Sequence, residues 1–482
     1  MQLQDSGLLK EQCYIDGEWT GKPVSKVWNP ATGDVIAKVP DLGTDETRRA
    51  IEAANAALKP WRSLLAKERS ACLRRWFNLI VENADDLALL MTMEQGKPLA
   101  EAKGEVAYGS AFVELYAEEA KRIYGETIPT HRKDGRIIVS KEPVGVVGAI
   151  TPWNFPLAMI TRKVAPAIAV GCTVVCKPAP DTPLTALALA ELADRAGIPK
   201  GVLNIVTGDA PTIGAELTSN PMVRAIGFTG STKVGKLLME QCAGTVKKVS
   251  LELGGNAPFI IFDDADLDKA VAGTIACKFR NTGQVCVSAN RILVQDSIYD
   301  VFAEKLASEV TKMKVGQGTE VGVVLGPLIN EMALNKVETH VKDAVGQGAR
   351  VMTGGKRHEL GGTFYEPTVL ADVSTKMIMS KEETFGPVAG LYRFKDEEEA
   401  IRVANDTPSG LAAYFYSRDI GRCWRVSEQL EYGLVGVNEG VISTEMAPFG
   451  GYKESGLGRE GSHHGVEDFL EIKYTFMGGL DG

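Results

Sequence analysis

Short β-branched runs alternate with helical stretches through the middle of the chain, and this alternation limits the possible folds more than any other feature. We predict strands at 144–150, 173–176, 202–206 and 225–228, and helices at 161–169, 183–195, 213–219 and 233–243. Strands and helices that alternate at this spacing are typical of a doubly wound parallel sheet. A second alternating region runs from about 257 to 437, whereas 44–124 has a helical pattern. The chain is therefore predicted to be an α/β protein with two large domains.

Two further segments, 136–141 and 469–474, show the residue alternation of strands that lie outside these regions. We predict that they pair, either with each other or across a subunit interface.

Length and composition narrow the class of protein. The chain has 482 residues, and a single core usually stops growing near about 250–300 residues, so two or three domains are expected. A net charge of −9, without long runs of one sign, argues against nucleic acid or an anionic membrane as a partner. Residues 1–10 lack a signal-peptide pattern, and the longest apolar stretch, 164–176, is shorter than the roughly 18 residues of a membrane span. We expect a soluble cytoplasmic protein.

The cysteines and histidines argue against a metal centre. The eight cysteines are scattered, and Cys172 and Cys176 fall on one face of an apolar strand, where burial is expected. The five histidines form no HExxH motif or spaced cluster with carboxylates. We predict no bound metal, and a general base other than histidine.

A glycine-rich loop, GSTKVGK at 230–236, resembles a phosphate-binding P-loop but is followed by Leu237. A P-loop needs serine or threonine at that position to hold magnesium, so a phosphotransferase is a poor alternative. A glycine before a helix N-terminus still suits an anion, because free backbone N–H groups and the helix dipole point at it. An ordinary strand-to-helix turn would have the same pattern.

Six motifs resemble the aldehyde dehydrogenase superfamily, in the same order and over nearly the whole chain. They are TPWNFP (151–156), FTGS (228–231), LELGG (251–255), FRNTGQVC (279–286), EETFGP (382–387) and PFGG (448–451). The segments MITRK (159–163), KFRN (278–281), VNEGVIS (437–443) and SGLGREG (455–461) are most similar to those family members that oxidise succinate semialdehyde.

The resemblance implies a domain organisation and an oligomer. A Rossmann-type nucleotide-binding domain would comprise 1–123 and 143–254, and an α/β catalytic domain 255–454. A small β arm, 124–142 with 470–482, would bridge subunits, and 455–469 would return the chain to the nucleotide-binding domain. A homodimer or homotetramer is expected.

The resemblance also implies how the chemistry is divided among residues. Cys286 would attack the aldehyde to form a thiohemiacetal and then a thioester, because a carbonyl carbon releases hydride readily only once it is tetrahedral. The Asn154 side chain and the Cys286 backbone N–H would stabilise the oxyanion, and Glu252 would activate the hydrolytic water. Without the family motifs, these three residues would be taken for a buried cysteine, a turn residue and a strand-end charge. Ser288 stands where many close relatives carry a second cysteine, so a disulfide switch at Cys286 is not expected.

The implied cofactor is NADP, with NAD as the alternative. Its expected contacts are Thr151, Trp153, Asn154, Lys177, Pro180, Gly230, Ser231, Gly235, Leu253, Glu383 and Phe385. NAD-preferring relatives commonly have glutamate at the position of Pro180, and NADP-preferring ones have serine. Because proline removes the carboxylate that would repel a 2′-phosphate, we expect NADP to be preferred.

The implied substrate is a small aldehyde that carries a carboxylate. Arg162, Arg280 and Ser443 match the positions that hold that carboxylate, and arginine is well shaped to bind it. Succinate semialdehyde is the expected substrate, whereas glutarate semialdehyde or another carboxylated aldehyde is the alternative. Either arginine could instead pair with a structural acid. A catalytically silent nucleotide-binding relative is the alternative from another class.

Overall fold

Fourteen helices and twenty-two strands are formed by residues 2–480, the part of the chain that the computed structural model describes. Residue 1, in the predicted range 1–123, and residues 481–482, in the predicted range 470–482, lie outside the described part of the chain. The helices are α1 Thr44–Arg62, α2 Ala66–Glu82, α3 Ala84–Gln95, α4 Leu99–Glu119, α5 Ala158–Val170, α6 Leu184–Arg195, α7 Ala210–Ser219, α8 Thr232–Ala243, α9 Leu267–Phe279, α10 Tyr299–Val310, α11 Glu331–Gly346, α12 Ile378–Lys381, α13 Glu397–Asn405 and α14 Ile420–Gln429.

The strands of the first half of the chain are β1 Cys13–Ile15, β2 Glu18–Thr20, β3 Pro23–Trp28, β4 Val35–Pro40, β5 Glu126–Ile128, β6 Arg136–Pro143, β7 Val146–Ile150, β8 Thr173–Lys177, β9 Leu203–Ile205, β10 Val223–Thr229 and β11 Lys248–Glu252. Those of the second half are β12 Ala257–Ile261, β13 Ala289–Gln295, β14 Arg350–Thr353, β15 Thr368–Ala371, β16 Val388–Phe394, β17 Ser409–Gly410, β18 Ala412–Tyr416, β19 Leu434–Val437, β20 Tyr452–Lys453, β21 Gly456–Leu457 and β22 Leu470–Met477.

The first large sheet has the order β2-β1-β9-β8-β7-β10-β11-β21. Its five central strands are parallel, as the alternation of strands and helices predicts. Successive residues of these strands enter two separate cores: Val147 and Val174 face the core that contains α4 to α6, and Val146 and Val175 face the core that contains α1 and α7. Helices therefore cover both faces, and the doubly wound sheet is confirmed.

The second large sheet has the order β14-β15-β16-β13-β12-β18-β19 and is parallel except for the edge strand β14. Phe259 and Ile261 point into one core, while Ile260 and Phe262 point into another on the opposite face. This sheet accounts for the second alternating region that the sequence predicts.

A three-stranded sheet in the order β22-β6-β5 stands apart from both large sheets. Strands β6 and β22 pair antiparallel over eight residues, from Leu470 opposite Pro143 to Met477 opposite Arg136. Of the two pairings left open by the sequence, pairing within the chain is the one observed. Much of the sheet is exposed, including Ile472 at 74% and Tyr474 at 58%.

Other predictions about local structure are confirmed or extended. The helical region begins at Thr44 as expected, and it consists of the four helices α1 to α4. Cys172 and Cys176 are buried in the same core. The N-terminal strands β1 to β4 were not predicted, because each is short and lacks a sustained alternation. No helix within residues 2–480 is long and apolar enough to cross a membrane.

Candidate active site

Cys286 follows a turn in which three consecutive residues adopt left-handed backbone conformations. Asn281, Thr282 and Gly283 have φ values of 48°, 57° and 75°. Such values are costly for a β-branched threonine, so the turn must be held by its surroundings. The Thr282 hydroxyl donates to the Gly326 carbonyl at 3.1 Å, and the Gln284 carboxamide accepts from the backbone N–H of Ile329 at 3.0 Å.

The Cys286 side chain lies where two cavities meet. One cavity has a volume of about 370 Å³ and the other about 250 Å³, and Cys286 and Met159 line both. Burial raises the pKa of the Cys286 thiol to about 12, against the opposing charge of Arg162. The thiol therefore keeps its proton at neutral pH in the free protein.

The larger cavity brings together eight of the predicted site residues and has the features of a dinucleotide site. Its lining includes Trp153, Asn154, Gly230, Ser231, Leu253, Cys286, Glu383 and Phe385. Ser231 caps α8 by accepting from the Val234 N–H, so the positive end of that helix faces the cavity. Phe385 packs edge-on to Trp153 with ring centroids 5.5 Å apart. An apolar slot beside a helix N-terminus fits a nicotinamide cofactor with its pyrophosphate.

A lysine that the motifs did not predict, Lys336, lies near enough to Glu383 for its charge to act on that carboxyl group. Burial raises the pKa of Glu383 to about 7, and the nearby charge of Lys336 opposes this shift. Lys336 lies on α11 and also lines the larger cavity. Its position one turn into an otherwise ordinary amphipathic helix gave no signal in the sequence.

The smaller cavity brings together the three residues predicted to hold a carboxylate. Arg162, Arg280 and Ser443 all line it, together with Cys286. The Nε groups of both arginines are buried without a hydrogen-bond partner. Phe449 lies under the Arg162 guanidinium at 4.0 Å, and Phe155 lies 5.7 Å from that of Arg280. Aromatic rings and unpaired donors around one volume suit a small molecule with an apolar stem and an anionic end.

Arg162 also pairs with a buried acid. Its Nη2 lies 2.6 Å from Oε2 of Glu460, and Lys163 contacts the other oxygen of the same carboxylate. Burial alone would raise the pKa of Glu460, but the charges of Arg162 and Lys163 outweigh burial and hold that pKa below its usual value. Arg162 therefore lines the predicted carboxylate site and also pairs with the buried Glu460.

The backbone of Asn154 is positioned by a buried ion pair between Lys97 and Glu105. Its side-chain amide donates to the Gln284 carbonyl at 3.0 Å. The Lys97 ammonium donates to the Asn154 backbone carbonyl at 2.7 Å and pairs with Glu105. Glu105 also accepts from the backbone N–H of Leu157 at 2.9 Å, at the start of α5. The same ion pair thus fixes Asn154 and the helix that carries Arg162.

Glu252 lies at the end of β11 and lines neither cavity. Both of its carboxylate oxygens are buried without a hydrogen-bond partner. Burial and the charge of Glu460 raise the pKa of Glu252 well above its usual value, and Arg162 opposes this shift. A carboxyl group in this environment is suited to accept a proton from water.

Four predicted cofactor contacts are not among the residues that line the larger cavity. The Thr151 N–H bonds the Lys177 carbonyl at 3.1 Å, and the Lys177 ammonium bonds the Pro178 carbonyl at 3.0 Å. Gly235 packs against Leu253, where a Cβ would collide. Pro180 is exposed and lines a third cavity, of about 600 Å³, which adjoins the 370 Å³ dinucleotide cavity at Asn330.

No group of His, Cys, Asp or Glu side chains in residues 2–480 is arranged to bind a metal ion.

The sequence profile of the aldehyde dehydrogenase family matches residues 18–475. The chain belongs to the aldehyde dehydrogenase family. The predicted family and the aldehyde dehydrogenase fold are thereby confirmed, and the chain is an NAD(P)-dependent oxidoreductase of this family. Lys236, the lysine of the P-loop-like segment 230–236, does not line the larger cavity. Its ammonium forms a surface ion pair with Glu454, 2.8 Å away.

Several aldehyde dehydrogenases are similar to this one over their full length. The glutarate-semialdehyde dehydrogenase of Pseudomonas aeruginosa is 62% identical, with 100% of both chains covered. The succinate-semialdehyde dehydrogenase [NADP(+)] of Escherichia coli is 63% identical, covering 99% of this chain and 100% of that one. A solved structure described as an E. coli NADP-dependent enzyme superposes with a TM-score of 0.98 at 62% identity, covering 99% of this chain and 100% of the other.

Proposed function

We propose that this aldehyde dehydrogenase oxidises succinate semialdehyde to succinate with NADP. The observation that carries the proposal is the position of Cys286 between two cavities, one suited to a dinucleotide and the other lined by Arg162, Arg280 and Ser443. A semialdehyde must place its aldehyde at a nucleophile and its carboxylate at cations, and the smaller cavity offers both.

Cys286 and Asn154 are proposed to carry the first half of the reaction. Glu252, whose charge acts on Cys286, takes the thiol proton and passes it to solvent as the Cys286 sulfur adds to the aldehyde carbon. This forms a thiohemiacetal, whose oxyanion accepts hydrogen bonds from the Asn154 amide and the Cys286 backbone N–H. Removing one such donor typically costs about 2.7–4 kcal/mol of transition-state stabilisation. The bound nicotinamide cofactor supplies the acceptor for the hydride that leaves this carbon, and the product at Cys286 is a thioester.

Glu252 is proposed to carry the second half. Its carboxylate takes a proton from a water molecule, whose oxygen attacks the thioester carbon, and the carboxylic acid product leaves as the Cys286 thiolate is released. The unpartnered oxygens of Glu252 support this role, because no hydrogen bond within the described chain must be broken for them to accept a proton.

NADP is proposed to be held by the residues of the larger cavity, with Thr151, Lys177, Pro180 and Gly235 beyond it. The exposed Pro180 brings no negative charge to the predicted ribose position, which supports NADP. The E. coli relative whose name specifies NADP(+) supports the same choice.

Glutarate semialdehyde is the second candidate substrate, because a relative of equal similarity is named for it. One methylene group in a pocket is typically worth only about 1–3 kcal/mol.

The domain ranges 1–123 with 143–254, 255–454, and 124–142 with 470–482 are proposed to bind cofactor, perform catalysis and bridge subunits. The exposed Ile472 and Tyr474 of the arm support a homodimer or homotetramer. The eight free cysteines support work in the reducing cytoplasm.

A substrate panel tests the proposed function. Succinate semialdehyde, glutarate semialdehyde and butanal are compared with both cofactors by following the absorbance of the reduced nicotinamide. We expect kcat/KM to be highest for succinate semialdehyde and lowest for butanal, which has the same number of carbons but no carboxylate. Equal values for butanal and succinate semialdehyde would refute the proposed substrate class, and a higher value for glutarate semialdehyde would identify the second candidate.

A further inference from the structure

The smaller cavity contains an unpaired hydroxyl that the predicted carboxylate site does not include. Tyr108 lies on α4 and lines this cavity together with Arg162, Arg280 and Ser443. Its hydroxyl oxygen is buried and has no hydrogen-bond partner within residues 2–480. The ring is fixed by an edge-on contact with Phe112, with centroids 5.1 Å apart.

An unpaired buried hydroxyl is costly, and most such groups in proteins have a partner. Burial raises the pKa of Tyr108, so the hydroxyl keeps its proton and can donate a hydrogen bond at neutral pH. The same cavity contains two other unpaired donors, the Nε groups of Arg162 and Arg280. Three donors without acceptors around one volume indicate that the missing partner is an anionic ligand.

The acidic residues of the cavity are already engaged and do not fill this role. Glu105 pairs with Lys97 and accepts from the start of α5. Glu101 accepts from the Asn281 N–H at 2.7 Å. Since Arg162 is also paired with Glu460, Arg280 is the guanidinium of this cavity for which no ion pair is found in the described chain. A substrate carboxylate that binds Arg280 has further lone pairs, and these need another hydrogen-bond donor.

We propose that the Tyr108 hydroxyl donates a hydrogen bond to the carboxylate of the substrate and, with Arg280, determines specificity for anionic aldehydes. This inference rests on the proposed function and adds a contact to the same site. The reacting end of the substrate is served by Asn154 and the Cys286 N–H, so Tyr108 acts at the opposite end. This role was not predicted from the sequence, because a tyrosine between apolar residues on a helix is usually part of the core.

The variant Tyr108→Phe removes only the hydroxyl and retains the ring that packs on Phe112. We expect KM for succinate semialdehyde to rise about tenfold, the effect of losing a hydrogen bond to a charged group, with a small change in kcat. For butanal, kcat/KM should be unchanged, because this substrate has no carboxylate. The matched control is Tyr116→Phe, on the same helix, whose buried hydroxyl is also unpaired but lies against Gly465. This control should leave both substrates unaffected.

A second measurement separates this inference from the proposed function. Succinate should inhibit butanal oxidation by the wild type and should do so about tenfold more weakly in Tyr108→Phe, whatever the preferred substrate of the enzyme is. Loss of kcat/KM for butanal equal to that for the semialdehyde would overturn the inference and assign Tyr108 to the reacting end or to the core. Unchanged KM and unchanged inhibition would also overturn it, whereas a wild type that oxidises another carboxylated aldehyde better than succinate semialdehyde would refute the proposed substrate alone.

Discussion

Arg162 and Glu460 form a buried ion pair beside the smaller cavity, with Nη2 and Oε2 2.6 Å apart. The Lys163 ammonium contacts the other oxygen of the same carboxylate, so Glu460 balances two buried cations. Arg280, which lines the same cavity, has no ion pair within residues 2–480. We therefore expect Arg162 to have both a binding and a structural role, and Arg280 to act in binding alone.

We predict that Arg280→Ala and Arg162→Ala both raise KM for succinate semialdehyde far more than for butanal. Losing a hydrogen bond to a charged group is typically worth about 1.5–3 kcal/mol. Only Arg162→Ala should also lower the melting temperature, because it removes one of the two cations that balance buried Glu460. Steady-state kinetics and thermal unfolding measure the two effects.

The variant Arg162→Met is the control for this difference. It leaves Lys163 paired with Glu460 and keeps an apolar side chain beside Phe449, so part of the stability should return relative to Arg162→Ala while selectivity for the carboxylate stays lost. If Arg280→Ala weakens both aldehydes equally, the carboxylate role of that residue must be withdrawn.

The pKa of Cys286 gives a second prediction. Burial raises that pKa to about 12, so the thiolate fraction should rise about tenfold per pH unit through the alkaline range. The rate of alkylation by iodoacetamide in the free enzyme should therefore show no plateau near the usual thiol pKa of about 8.5. Mass spectrometry of the modified peptide follows the reaction at this site alone.

Two variants complete this test. Cys286→Ala should abolish turnover while retaining the affinity for cofactor, whereas Cys423→Ala, at a partly exposed cysteine on α14, should change neither. Turnover that survives in Cys286→Ala would contradict the mechanism, and an alkylation plateau near pH 8.5 would contradict the raised pKa.

Lys97 leads to a third prediction, because it holds the Asn154 backbone from within the protein. Lys97→Met removes the donor to the Asn154 carbonyl, 2.7 Å away, and should lower kcat about tenfold through a displaced oxyanion donor. The dissociation constant for NADP should change little. Lys103→Met is the matched control, since that lysine forms an exposed pair with Asp85 and lines neither cavity. A loss of stability with kcat intact would show that Lys97 has a structural role only.

The motifs predicted much of the site because each one covers a short segment whose own backbone positions the side chain. Cys286, Asn154 and Glu383 are of this kind, and the structure brings all three to one cavity. Tyr108 and Lys97 were not predicted, because their roles depend on how α4 and its preceding loop pack against α5, a contact between distant segments. The left-handed turn at Asn281 and Thr282 was also not predicted. Asparagine tolerates positive φ, but a β-branched threonine rarely adopts it, so Thr282 gives no indication of the turn.

Cofactor preference depends on the neighbourhood of Pro180. This proline is exposed, and its cavity adjoins the larger one at Asn330. The Lys177 ammonium is buried and bonded to the Pro178 carbonyl at 3.0 Å, and burial lowers the pKa of this lysine. With an ammonium nearby and no carboxylate at 180, we predict that kcat/KM is higher for NADP than for NAD.

The variant Pro180→Glu tests this prediction, with Pro180→Gln as a neutral control of the same size. Glutamate should lower kcat/KM for NADP and favour NAD, because its carboxylate repels a 2′-phosphate and accepts from a 2′-hydroxyl. Glutamine should retain most of the NADP activity, since it adds no charge. If the wild type already prefers NAD tenfold or more, about 1.4 kcal/mol, the absence of a carboxylate at 180 does not decide the cofactor. The choice would then depend on other charges near Lys177, such as Asp181 and Asp209.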